Sequence, residues 1–178
     1  MKTLNEIEIS EEHLRNEKYN FQPKLTLKLD ELNTNFNQEI VNQIVLWKVN
    51  RYVEINDDTF SLLNSIKKED ESLDKDLTKI ILEKLLSTNG IQLAMASTIL
   101  RFKNPKVYQI IDQRVFRIIY GKKMPKYFSS IETQINLYLE YLQKLRNVCN
   151  EKGIKYELSD RIIYELDKEF NKDEKISY

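Results

Sequence analysis

One carboxylate stands in the most basic part of the chain. In "YQIIDQRVFR", residues 108–117, Asp112 follows two isoleucines and precedes Arg114 and Arg117. The window from Arg101 to Lys126 also holds Lys103, Lys106, Lys122 and Lys123, and Asp112 is its only acid, for a net charge of +7. The whole 178-residue chain has zero formal net charge, so the remainder is acidic by the same amount. A polyanion responds to the surface that faces it and not to the average, so this polarity points to a phosphate-bearing partner. An ionised aspartate among such cations is suited to stabilising developing positive charge, or to taking a proton from an attacking water. The neighbouring bases would keep it ionised. Aspartate is equally a favoured N-cap, and a helix is expected to begin at Gln113. The two roles are compatible.

Other chemistries have little to work with. The single histidine, His13, lies in an acidic N-terminal stretch, which argues against a histidine metal site or a Ser-His-Asp triad. The lone cysteine, Cys149, forms no internal disulfide and no iron–sulfur cluster. Both residues read as incidental. No cofactor is expected. No apolar run approaches the roughly 20 residues of a membrane span, and "MKTLNEIEISEEHLR" has no signal-peptide core. A cytoplasmic protein with no membrane partner is the expectation. The chain is 41% hydrophobic and 31% charged, enough for a real core under a soluble surface.

The elements that would position Asp112 are helical. Glycine and proline number three each, and strand-like alternation is rare. An all-α fold of about seven or more helices is expected, in one domain or two closely packed lobes. Residues 38–52 carry apolar positions at helical spacing, and Asp57 or Asp58 is placed to cap the next helix. "SLDKDLTKIILEKLL" follows, and "STNG" is expected to end it with Gly90 as a left-handed C-cap. Gly90 and the small residues Ala94, Ala96 and Ser97 allow two antiparallel helices, near 76–87 and 92–103, to turn tightly and cross closely. The free N–H groups at the second helix start, with the helix dipole, suit a phosphate. A short helix at 113–120 should stop at Gly121. A long one at about 130–151, capped by Ser129 or Ser130, should end at Gly153, and a last helix should run over about 159–171. Tyr138 and Tyr141 read as core. Residues 1–35 are expected to form an N-terminal arm in which the brief alternation of "PKLTLKLDEL" suits either a short extended segment or an ordered loop, and 36–178 the helical domain.

"LSTNGIQLAMASTIL" followed by "YQIIDQRVFRIIYG" resembles the core of the helix-hairpin-helix DNA glycosylase superfamily. That family's hairpin reads approximately L-P-G-V-G-x-x-T-A-x-x-[IV]-L, and a downstream V-D-T-H-V-x-R-[VI] carries its catalytic aspartate. In this register Gly90 matches the first hairpin glycine, Ile91 the valine, Ala96 the alanine and Leu100 the closing leucine. Asp112, Val115 and Arg117 match the second motif. The likeness covers about 35 residues. It implies a glycosylase-like fold, duplex DNA as partner and Asp112 as the catalytic carboxylate. Gly90, Ile91, Gln92, Arg114, Arg117, Lys122 and Lys123 would then be DNA contacts. Trp47 and Tyr108, with Tyr52, Phe102 and Phe116 as further candidates, could receive an extruded base, although Trp47 reads first as a core residue. The sequence departs from the pattern at Gln92, in place of the second glycine. Ala94 stands where bifunctional members carry a Schiff-base lysine, so this register implies no lyase chemistry. Gln113 and Arg114 replace Thr and His.

Three functions follow as alternatives. One is a monofunctional DNA glycosylase of base-excision repair. Another is a non-catalytic DNA-binding protein of the same fold. The third is a helical protein-interaction module, in which Arg114 and Arg117 form ordinary ion pairs and Lys122, Lys123 and Lys126 are a solvated loop.

Overall fold

A computed structural model describes residues 21–174. His13 lies outside the described residues. The chain divides into two compact units, with the boundary between Tyr52 and Val53. Among the described residues the regular structure is entirely helical.

The first unit contains α1 (Pro23–Asp30) and α2 (Gln38–Lys48). The alternating stretch "PKLTLKLD" is therefore helical and not extended. Pro23 stands at the first helical position, where its fixed φ and missing N–H are tolerated. Leu25 is the buried residue of this helix and Leu27 faces solvent, so the apparent alternation is no two-sided strand pattern. Asn37 caps α2 by accepting from the Ile40 N–H at 3.0 Å.

The second unit holds α3 (Asp57–Ser65), α4 (Lys75–Leu86), α5 (Leu93–Lys103), α6 (Gln113–Tyr120), α7 (Ile131–Lys152) and α8 (Ser159–Phe170), with a short 3-10 turn at Tyr156–Leu158. Most starts carry a side-chain acceptor for an N–H that the helix itself leaves unpaired. Asn56, not Asp57 or Asp58, caps α3 through the Thr59 N–H. Both aspartates fall inside the first turn, where their charge favours the positive end of the helix dipole. Asp74 caps α4 and Ser130 caps α7. Gly121 and Gly153 end α6 and α7 at φ 65° and 67°.

One core joins the helices of this unit. Ile81, Leu82 and Leu85 of α4 meet Leu93, Ala96 and Leu100 of α5, Val115 and Phe116 of α6, Tyr138, Tyr141 and Leu145 of α7, and Ile163 of α8. The zero exposure of Ala96 shows why small residues are needed where the hairpin helices cross. Tyr138 and Tyr141, three residues apart on α7, are fully buried, as their spacing implies. None of the described helices is long and apolar enough to cross a membrane.

Candidate functional site

Asp112 is placed by a segment that has no regular structure. Between α5 and α6 the chain runs through residues 104–111, and Val107, Tyr108, Gln109 and Ile111 are buried. Buried backbone without a ladder must find partners elsewhere. Here side chains supply them. Arg146 donates to the Lys106 carbonyl at 2.8 Å and Tyr156 to that of Val107 at 3.2 Å. Tyr138 donates to the Gln109 carbonyl at 3.0 Å and Tyr141 to that of Ile110 at 2.7 Å. The Ile111 N–H donates to Ser97 Oγ at 3.2 Å, so the hairpin's second helix also holds the segment. At its start the buried Asn104 donates to the Lys67 and Asp70 carbonyls and accepts from the Lys106 N–H. Burial raises the Tyr138 and Tyr141 hydroxyls well above their ordinary value, which keeps them neutral donors.

Asp112 follows directly. Its Oδ1 accepts from the Val115 N–H at 2.8 Å, capping α6. The carboxylate also lines a cleft of about 450 Å³ with Ile110, Asp160, Arg161, Tyr164 and Glu165. Burial raises the Asp112 carboxyl above its ordinary value, outweighing the Val115 and Arg114 N–H groups and the Arg114 charge, which act the other way. Sequence predicts the opposite direction. The reason is that burial of the carboxylate outweighs the Arg114 charge, and the Asp167 charge adds to the rise.

Arg114 and Arg117 both bind Asp167 of α8. Arg114 donates to Oδ2 at 2.9 Å, and Arg117 reaches Oδ1 through Nε and Oδ2 through Nη2. Arg117 also donates to the carbonyls of Asn171 and Glu174. Asp167 is fully buried. Burial alone would raise its carboxyl, but hydrogen bonds from Arg117, Asn171 and Arg114 prevail and hold it below its ordinary value. A second buried pair, Arg101 with Asp160 at 3.3 Å, stands beside the Asp112 cleft. Lys106 pairs with Glu71 at 3.2 Å. Carboxylates from outside the basic window thus engage Arg101, Lys106, Arg114 and Arg117, and the surface charge of the window is smaller than its sequence suggests. The acids responsible are legible only afterwards: Asp160, Ile163 and Asp167 share the buried stripe of α8, and buried acids at helical spacing require cations opposite them.

The hairpin forms between α4 and α5. Gly90 has φ +87°, but it is not the C-cap of α4, which is Ser87. It occupies the third position of a turn closed by the Ile91 N–H on the Thr88 carbonyl at 3.1 Å. That position of a type II turn requires positive φ. A Cβ there would meet Val53 Cγ2 at 3.4 Å. Ile91 is 5% exposed, which makes it an anchor of the turn. Gln92 is exposed at the N-cap of α5 and its side chain caps nothing. Ala94 is exposed in the first turn. Lys122 and Lys123 are exposed after α6, with the Lys122 ammonium 6.0 Å from the Tyr120 ring centre.

Of the aromatic candidates in the second unit, none of Phe102, Tyr108 and Phe116 lines the Asp112 cleft. Tyr108 is 2% exposed, and its hydroxyl lies 2.9 Å from Thr78 Oγ1, so it is a core residue. Trp47 belongs to the first unit, where it donates to Thr26 Oγ1 at 2.9 Å and meets Phe21 edge-on. Tyr164 is the aromatic residue on the cleft wall, and its place on α8 shows only once α6 and α8 pack together. Among the described residues no group of three or more His, Cys, Asp or Glu is arranged to hold a metal. No protein-family model, curated protein or solved structure matches the chain.

Proposed function

We propose that the chain is a monofunctional DNA glycosylase that hydrolyses the N-glycosidic bond of a damaged or modified base, with Asp112 as its catalytic carboxylate. One observation carries the reading. After a glycine-turned helical hairpin, a segment tied down by buried side chains delivers an aspartate to the wall of an open cleft. Both parts of the family resemblance fall in the same unit, in the order it requires.

The chemistry asks little beyond that carboxylate. As the bond between C1′ and the base nitrogen breaks, its electron pair leaves with the base and positive charge builds on the sugar. An ionised Asp112 stabilises that charge. Water adds its oxygen to C1′, and its proton passes through Asp112 to the departing base. A carboxylate whose affinity for protons is raised by burial accepts that proton more readily. The cleft, at about 450 Å³, lies within the usual range for small-ligand sites. Ala94 offers no amine, so no Schiff-base intermediate forms there.

A panel of duplexes bearing different lesions, scored for alkali-labile abasic sites, tests the reading. Release of at least one free base, with no enzyme–DNA adduct trapped by borohydride, is the expected result. A robust trapped adduct would contradict the mechanism. A non-cleaving DNA-binding protein is the second reading. It is favoured by the Val115 cap, which by itself accounts for an aspartate at this position. Salt-dependent duplex binding with no base released across the panel would select it. Absence of duplex binding would leave a helical protein-interaction module.

A further inference from the structure

We infer that one DNA strand runs its phosphate backbone along a basic cleft between α4 and α7, and that Lys75, Lys79 and Lys144 are its contacts. The inference rests on the reading of the chain as a duplex-DNA-binding protein, and it moves the main electrostatic contact away from Arg114 and Arg117. Those arginines are engaged by the buried Asp167, so a DNA-binding surface needs other cations. The α4–α7 cleft has them. It measures about 720 Å³, and Lys75, Lys79, Lys144 and Arg146 line it with Glu71 and Glu140. Glu71 is already paired with Lys106, which reduces its opposition.

The geometry suits a chain of phosphates. Lys75 and Lys79 are one helical turn apart, about 6 Å along the axis, close to the axial rise of two nucleotides on one strand. Both are exposed, and neither has a hydrogen-bond or ion-pair partner among the described residues. Arg146 is fixed, donating to the Lys106 carbonyl and stacked 3.8 Å over the Tyr156 ring. The track also continues beyond the cleft. Lys144 sits 4.1 Å over the Tyr120 ring, and Lys122 approaches the same ring at 6.0 Å. Lys144 of the cleft and Lys122 of the following loop therefore meet at Tyr120, whose hydroxyl donates to Glu140 at 3.5 Å, so the backbone would pass one carboxylate at this point.

The test measures duplex affinity of the full chain as a function of salt. The variants are the triple Lys75→Gln, Lys79→Gln, Lys144→Gln and the same triple to Arg. Exposed side chains are replaced in each, so helix content and Tm should match wild type. If each lysine neutralises one phosphate, the glutamine triple should flatten the slope of log K against log salt by about 2.7. Affinity should fall at least about tenfold at low salt for every duplex sequence, and the arginine triple should retain it. Wild type that binds DNA with ordinary salt dependence, alongside a glutamine triple that binds equally well, would overturn the cleft while leaving the DNA reading intact. If wild type shows no salt-dependent binding, both fall together.

Discussion

Asp112 has two partners that pull its proton affinity in opposite directions. The N–H groups at the start of α6 favour the charged form, and burial at the edge of the cleft disfavours it. Burial prevails, and this has a kinetic consequence. A carboxylate that must be ionised to act loses activity as pH falls through its pKa. The acid limb of kcat/KM for base release should therefore lie above the ordinary aspartate value of 3.8. A pH–rate profile on the best substrate of the lesion panel measures it. A limb at or below that value would mean that the cleft is wetter, or Asp112 better paired, than the structure has it. Folding linkage carries the same sign: a carboxyl raised in the folded state makes ionised Asp112 mildly destabilising above its unfolded pKa. An amide at this position should therefore not destabilise the fold.

The elements are legible in the sequence to different degrees, for physical reasons. The hairpin helices, the short helix before Gly121 and the long helix before Gly153 fall within a residue or so of their expected bounds, because apolar periodicity and glycine stops are local signals. Pro23–Asp30 misled because three leucines alternate with polar residues, a pattern that a short helix with one buried leucine also satisfies. The Gly90 backbone was legible while its role was not, since a C-cap and a type II turn both demand positive φ. The framework of residues 104–111 was invisible. Its partners, Tyr138, Tyr141, Arg146 and Tyr156, lie about 30 to 50 residues downstream, and no local pattern links a tyrosine to a distant carbonyl. Tyr141→Phe tests that framework. It removes a buried O–H and leaves the Ile110 carbonyl unpaired, so unfolding free energy should fall by about 1–3 kcal/mol. Base release should slow as Asp112 loses its fixed position, while DNA affinity holds. Urea unfolding and single-turnover kinetics measure the two effects, and a variant as stable and active as wild type would remove Tyr141 from the account.

At the scale of the whole molecule, the charge polarity seen in sequence is partly consumed by the fold. Asp160 and Asp167 on α8 take the guanidinium groups of Arg101, Arg114 and Arg117 into partly or fully buried pairs, which fasten α8 to α5 and α6. Truncating one member of such a pair leaves uncompensated charge. Asp167→Ala should lower stability by about 3–5 kcal/mol. Because the Asp167 carboxyl is held below its ordinary value, its contribution is present above the unfolded pKa and lost as pH falls through the folded one. The stability gap between wild type and variant should narrow below about pH 4. Acid-dependent urea unfolding shows this, and a gap independent of pH would contradict the pairing. The same pairs explain why reversing charge at Arg114 or Arg117 confounds folding with binding, whereas the exposed lysines do not. Asp112 is proposed to cleave and not merely to cap. The most direct measurement of this is single-turnover base release by wild type and Asp112→Asn on one substrate, with duplex affinity and Tm determined in parallel. Asparagine is itself a good N-cap, so Tm and affinity should remain close to wild type while release falls by about two to four orders of magnitude. Undiminished release by Asp112→Asn would leave Asp112 a helix cap and contradict the account.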